Sequence, residues 1–221
     1  MERFAIQELI KWKEKEGRKL LIIRGARQVG KTWLMKEFGK AHYNKTVYVN
    51  FESSKLLQTV FSADYDIQRI ITALQIETGV QIEAKNTLII FDEIQDAKGA
   101  ITSLKYFFEN APEYHIIAAG SLLGVALHEN ISFPVGKVEF LDISPLNYAE
   151  FLLANKQTEL YNLLNSNDWN LTNSFKSKYI RYLRQYYFTG GMPEVVQSFV
   201  DNNNFNDVRD IQNRILRIVR T

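Results

Sequence analysis

The sequence has no cysteine among its 221 residues. That excludes a disulfide framework and any thiolate metal site. Histidine is scarce too: His42, His115 and His128 are scattered without the spacing of metal ligands. Neither sign of charge prevails. The 27 basic and 25 acidic side chains leave a formal net charge of +2, which gives no general argument for nucleic acid as a partner. The N-terminus, Met1-Glu2-Arg3-Phe4-Ala5-Ile6, lacks the apolar core of a signal peptide. The longest apolar stretch, Ile116 to Leu127, is broken by Gly120, Ser121 and Gly124. It is too short to span a bilayer and reads as core. Asn130-Ile131-Ser132 and Asn170-Leu171-Thr172 match the glycosylation pattern, but nothing else points to secretion. The expectation is a soluble cytoplasmic protein with no membrane partner. A hydrophobic content of 46% is enough for a real core, and the length suits one domain with a small appendage.

One string dominates what is present. Gly25-Ala26-Arg27-Gln28-Val29-Gly30-Lys31-Thr32 reads G-x-x-x-x-G-K-[ST], the phosphate-binding loop pattern. Leu20-Leu21-Ile22-Ile23 before it has the composition of a buried parallel strand. Thr32 to Phe38 after it carries Leu34, Met35 and Phe38 at helical spacing. In such a loop, successive backbone N–H groups form a concave nest for phosphate oxygens. The two glycines allow the unusual dihedrals and the close approach. The helix beginning near Lys31 adds its orphan N–H groups and the positive end of its dipole. Lys31 is the expected partner of the β and γ phosphates, and the Thr32 hydroxyl the expected Mg²⁺ ligand.

The remaining chain alternates strands with helices. Residues 1 to about 16 pattern as an amphipathic helix that Gly17 stops. Thr46 to Phe51 has strand composition, with Glu52 at its carboxyl end, the edge where open α/β sheets bind ligands. A surface carboxylate is the alternative for Glu52. Asp66 to Thr78 reads as a helix. Thr87 to Phe91 is an apolar strand ending in Asp92-Glu93-Ile94-Gln95, four apolar residues followed by two acids, the Walker B pattern. Asp92 is the expected second anchor for magnesium, and Glu93 the expected general base for water. The alternative is a pair of acids capping the next helix. Tyr114 to Ala119 is a fourth strand, ending at Gly120-Ser121, and Val138 to Leu141 a fifth. Ser144-Pro145 is expected to start a helix, Asn165 to Ser174 to be a loop, and the rest to be helical, broken by Thr189-Gly190-Gly191-Met192-Pro193. The expected fold is α/β: a five-stranded, mostly parallel P-loop NTPase sheet flanked by helices, followed by a small α-helical lid. The expected domains are residues 1–155 for the ATPase core and 156–221 for the lid.

This order of parts resembles AAA+ ATPases. The strings Arg24 to Thr32, Asp92-Glu93-Ile94-Gln95, Phe133-Pro134-Val135-Gly136-Lys137, Ser144-Pro145-Leu146 and Gly190-Gly191-Met192-Pro193-Glu194 resemble the prokaryotic AAA-14 family in combination. Its members often carry a further C-terminal DUF4143 domain, absent from these 221 residues; the lid is either cut short at its C-terminus or that of a naturally short protein. The resemblance implies roles for two more residues. Ser121 takes the sensor 1 position that watches the γ-phosphate; the alternative is a cap for the segment after it. Pro193, in a G-x-P turn, takes the position that contacts adenine; the alternative is a structural helix break. Two departures stand out: Lys137 where arginine is frequent, and Ala119 where threonine is common. Lysine lacks the planar fork of arginine.

The resulting expectation is an ATP-dependent switch with Mg²⁺ as cofactor, hydrolysing ATP to ADP and phosphate. No arginine finger is evident, so turnover is expected to be slow without a further subunit or domain, because such a finger supplies roughly 10³–10⁵ in rate. The expected partner is an unidentified protein or the missing C-terminal domain. The alternative is a non-hydrolysing nucleotide-gated interaction module. A small-molecule kinase fits less well, because Asp92-Glu93 suits activation of water. Arg209, Arg214, Arg217 and Arg220 leave nucleic acid open as a partner, though Asp207 and Asp210 interrupt the basic run.

Overall fold

The computed structural model describes residues 1–97, 99–120, 134 and 136–219. Two compact units emerge. The sheet unit comprises Ala5–Ala26 and Lys31–Ile143. The helical unit comprises Met1–Phe4, Arg27–Gly30 and Ser144–Thr221.

The sheet unit holds five strands: β1 (Leu20–Arg24), β2 (Lys45–Asn50), β3 (Thr87–Asp92), β4 (His115–Ala119) and β5 (Val138–Asp142). Their order is β2-β3-β4-β1-β5, and every neighbouring pair is parallel. The expected P-loop NTPase architecture is borne out. Burial follows position in the sheet. All six residues of β3 and all five of β4 are buried, as central strands covered on both faces require. The edge strands β2 and β5 bury only some of their residues.

Among the described residues, the unit's helices are α1 (Ala5–Glu14), α2 (Lys31–His42), α3 (Lys55–Ala63), α4 (Ile67–Thr78) and α5 (Ala100–Asn110). Two of them start at side-chain caps. Ser54 accepts from the Leu57 N–H at the head of α3, and Asp66 from the Arg69 N–H at the head of α4. Leu57 and Phe61, then Ile67, Ile70, Ile71 and Leu74, face the core. Phe51, Phe61 and Phe91 meet there with ring centroids 5.0–5.4 Å apart, near edge-to-face or tilted. Such rings add about 0.5–1.5 kcal/mol per pair beyond their area.

The helical unit carries α6 (Tyr148–Ala154), α7 (Thr158–Asn165), α8 (Trp169–Ser174), α9 (Lys176–Thr189), α10 (Pro193–Asn202) and α11 (Phe205–Val219). Leu146, Phe151, Val195, Val196, Phe199, Val208 and Ile215 form its core. Two expectations are corrected here. Ser144-Pro145 does not begin a helix; α6 starts at Tyr148, because Asn147 and Glu150 form a reciprocal capping box that fixes the start. Nor is 165–174 all loop. Asp168 accepts from the Leu171 N–H and starts the short helix α8, so a stretch rich in turn formers contains a cap instead.

The turn before α10 is tight. The Leu146 N–H donates to the Gly191 carbonyl at 2.7 Å, and the Tyr186 hydroxyl donates to the Leu146 carbonyl at 2.8 Å. A Cβ at residue 191 would lie 2.1 Å from the Leu146 oxygen, so only glycine permits this approach.

At the amino end of β4, His115 sits in a basic pocket. The Tyr43 hydroxyl lies 2.7 Å from its Nδ1, and the Trp12 ring packs edge-on to it. Burial, reinforced by the charges of Arg18, Lys13 and Lys85, pushes its pKa down to about 4. The folded state therefore binds the proton less readily than the unfolded chain, whose histidine titrates near ~6.5. This contribution to stability is complete above the unfolded value and is lost as pH falls through the folded one. Denaturant titrations between pH 7 and 4 should show stability falling with pH, with up to about 1.4 kcal/mol per pH unit arising from this site. His115→Gln keeps an acceptor for Tyr43 and should flatten that part of the profile. An unchanged slope in the variant would remove His115 as the cause.

Candidate nucleotide-binding site

The loop after β1 has the backbone that its pattern demands. Gly25, Gln28 and Gly30 adopt positive φ of 151°, 66° and 91°. Helix α2 begins at Lys31 itself, so the orphan N–H groups of its first turn open beside the loop. Ala26, Arg27 and Gln28 are exposed, and Val29 is buried. The Lys31 Nζ donates to the Gly25 and Ala26 carbonyls at 2.8 and 2.9 Å. The ammonium is thus held over its own loop by acceptors that phosphate oxygens can replace.

The second half of the site lies at the carboxyl end of β3. Parallel pairing brings the carboxyl ends of β1 and β3 to one edge of the sheet, with β4 between them. Across that gap the Thr32 hydroxyl donates to Asp92 Oδ2 at 2.6 Å. The same oxygen accepts from the Tyr48 hydroxyl at 3.0 Å, and Oδ1 accepts from the Glu93 N–H at 3.2 Å. Asp92 is only 2% exposed, so these donors replace the water that a buried carboxylate has lost. A hydroxyl and a carboxylate oxygen in contact form a hard-oxygen pair of the kind magnesium takes alongside waters and phosphates. The residues present therefore fit both groups that the sequence implies: a phosphate chain in the loop, and Mg²⁺ at Thr32 and Asp92.

Sequence reasoning missed Tyr48. It stands on β2, which pairs with β3 so that Asn50 is opposite Asp92. Burial first, then the Asp92 charge, pushes its phenol up to about 12. Lys36 lies over its ring, 3.6 Å from the centroid.

Glu93 follows Asp92 in the left-handed region, at φ 47° and ψ 50°. A side chain rarely adopts this conformation without support from its surroundings. Gln95 supplies some: its Nε2 donates to Glu93 Oε2 at 2.7 Å. The Gln95 Oε1 is buried and has no hydrogen-bond partner among the described residues.

Pro193 begins α10, and its Cγ would lie 3.6 Å from a Cβ at Gly30. Ser121 lies outside the described residues. Lys137 faces α5, paired with Glu109 at 3.4 Å. Arg24 grips Asp142 through two hydrogen bonds of 2.8 and 2.7 Å, which ties β1 to β5. Glu52 is exposed. In the basic tail, Arg214 pairs with Glu194 and Arg209 lies over Phe188. Among the described residues, no group of three or more His, Asp or Glu side chains could hold a metal ion, and no helix is long and apolar enough to cross a membrane.

Comparison with known proteins accords with this geometry. The AAA_14 family model, an AAA domain, matches residues 17–152, and the chain belongs to that family. No curated protein matches the sequence. Among solved structures, a point mutant of RuvB from Thermotoga maritima is similar, with a TM-score of 0.51 and 14% identity, over 100% of this chain and 65% of that one. AMPPCP-bound DnaA from Aquifex aeolicus is similar with a TM-score of 0.50 and 15% identity, over 99% of this chain and 68% of that one. At this identity the likeness concerns the fold. The chain spans about two-thirds or less of the length of the solved chains it matches.

Tyr48→Phe removes one donor from a buried carboxylate while keeping the ring. The loss should be about 1.5–3 kcal/mol of stability, the usual worth of a hydrogen bond to a charged group. Urea unfolding of the two proteins measures it, and equal midpoints would show that the bond contributes nothing.

Proposed function

We propose that this chain is a cytoplasmic, nucleotide-dependent switch that binds ATP with Mg²⁺ and hydrolyses it slowly to ADP and phosphate. The observation that carries this reading is the contact between Thr32 and Asp92 at 2.6 Å. It joins the helix after the phosphate loop to the acidic end of β3. Nothing in core packing needs a hydroxyl and a buried carboxylate there, whereas a magnesium nucleotide needs both.

In this reading the loop from Gly25 to Thr32 cradles the phosphates with its backbone N–H groups. Lys31 leaves the carbonyls of Gly25 and Ala26 and offsets the charge of the β and γ phosphates. Thr32 and Asp92 would hold Mg²⁺, which when bound would offset charge on the phosphate oxygens. Glu93 takes the proton of the attacking water as its oxygen bonds to the γ-phosphorus and the bond to the β–γ bridging oxygen breaks. ADP and phosphate leave. Ser121 watches the γ-phosphate, and Pro193 contacts adenine. The partner is a protein or a further domain of a longer chain that completes the site.

A second reading has its own support. The Glu93 carboxylate is engaged by Gln95, and a base held this way suits a module that keeps its nucleotide and signals without turnover. Phosphate release from MgATP separates the two. The ATPase reading predicts slow release by the wild type, a fall of about 10²-fold or more in Glu93→Gln, in line with the worth of a general base, and no nucleotide binding by Lys31→Ala. Tight binding with no release by the wild type would favour the module. Release that persists in Glu93→Gln would remove Glu93 as the base.

A further inference from the structure

The segment Arg27–Gly30 belongs to the same compact unit as the chain's first four residues and the C-terminal helices. Within this unit, Arg3 reaches the segment. Arg3 is 8% exposed, and all three of its donor nitrogens are used, each on a different partner. Its Nε donates to Glu150 Oε1 at 3.1 Å, its Nη1 to the Val29 carbonyl at 3.0 Å, and its Nη2 to the Ser144 carbonyl at 2.6 Å. Glu150 is equally committed. Its Oε1 also accepts from the Phe4 N–H at 2.8 Å, and its Oε2 from the Asn147 N–H at 3.1 Å. Burying a charged pair this fully is not a cheap way to anchor an N-terminus; well-packed apolar residues usually serve as well or better. What the guanidinium does that an apolar side chain cannot do is grip a carbonyl of the phosphate loop.

That carbonyl matters because of what lies at the other end of its peptide. Val29 C=O and Gly30 N–H share one planar trans unit, so they point in opposite directions. An arginine holding the oxygen thereby directs the Gly30 N–H away from Arg3. It also polarises the unit, because a charge-assisted bond to the oxygen makes the N–H a stronger donor. Gly30, at φ 91°, has the backbone freedom that would otherwise let this peptide rotate. A Cβ at this position would lie 3.8 Å from Arg3 Nη1, so the arginine sits directly against the loop.

We propose that Arg3 is a positioning residue of the phosphate loop, fixing the Val29–Gly30 peptide so that its N–H is set for a phosphate oxygen before the nucleotide arrives. The proposal rests on the reading of this loop as a nucleotide site. It assigns Glu150, in the first turn of α6, the part of holding the arginine in place, so the geometry of the loop depends on a helix far along the chain.

The test uses the double variant Arg3→Met/Glu150→Met, which removes both charges at similar volume, with MgADP as the probe. Three quantities are read: the melting temperature, the MgADP affinity by calorimetry, and the Gly30 amide resonance in a ¹H–¹⁵N spectrum. The expected result is a lowered melting temperature, because Glu150 also closes the capping box of α6, together with MgADP affinity weakened by about 10- to 100-fold, the worth of one well-aimed bond to a charged group, and a displaced Gly30 amide already in the free protein. Wild-type affinity with an unmoved Gly30 resonance would overturn the proposal and leave the nucleotide reading standing. Failure of the wild type to bind MgADP would overturn both. Should the double variant not fold, Arg3→Lys keeps the charge but loses the fork; it should weaken MgADP and shift Gly30 in the same sense, and wild-type behaviour of this variant would equally overturn the proposal.

Discussion

A buried carboxylate at the end of a central strand constrains the rest of this structure. Asp92 is almost wholly buried, and donors from three places converge on it in place of bulk water. Thr32 comes from the first turn of α2, Tyr48 from β2, and the Glu93 N–H from the residue that follows. These bonds link the first turn of α2, β2 and the turn after β3 at one oxygen cluster. The parallel order β2-β3-β4-β1-β5 is what makes the convergence possible, because it sets the loop and the acid at one edge with a single strand between.

The same economy shows in the side chains around the loop. Lys31 lies over the carbonyls of Gly25 and Ala26, so its charge is kept at the loop rather than in solvent. Gln95 holds Glu93 in an uncommon backbone conformation. Arg3 holds the Val29 carbonyl. Lys31, Glu93 and Arg3 are thus each tied to a defined partner. Such preorganisation lowers the reorganisation needed when a phosphate chain arrives.

Much of this was legible in the sequence, for reasons that differ between residues. The loop from Gly25 to Thr32 is a local feature: its conformation is set by the glycines within it and by the apolar runs on either side. Asp92 could be read from the four apolar residues before it, which marked a buried strand and its carboxyl end. The five-stranded sheet followed from the alternation of such runs with helical spacing. Tyr48 and Arg3 were not legible, because their partners lie 44 and at least 26 residues away in sequence, and a tyrosine in a strand or an arginine near a terminus has no local signature of such a role. The start of α6 was misread for a different reason. Ser144-Pro145 is a plausible helix start by composition, but Asn147 and Glu150 satisfy each other's backbone groups and win. Gly191 looked like part of a functional turn, and its closeness to the Leu146 backbone shows that packing also demands a glycine there.

The account's central claim is that residues 25–32 form the cradle of a nucleotide's phosphates. Amide hydrogen exchange of the wild-type chain, with and without saturating MgADP, tests it most directly. The account predicts that the strongest protection on adding MgADP falls on the amides from Ala26 to Thr32. Binding that leaves this segment exchanging at its free rate, with protection elsewhere, would contradict it.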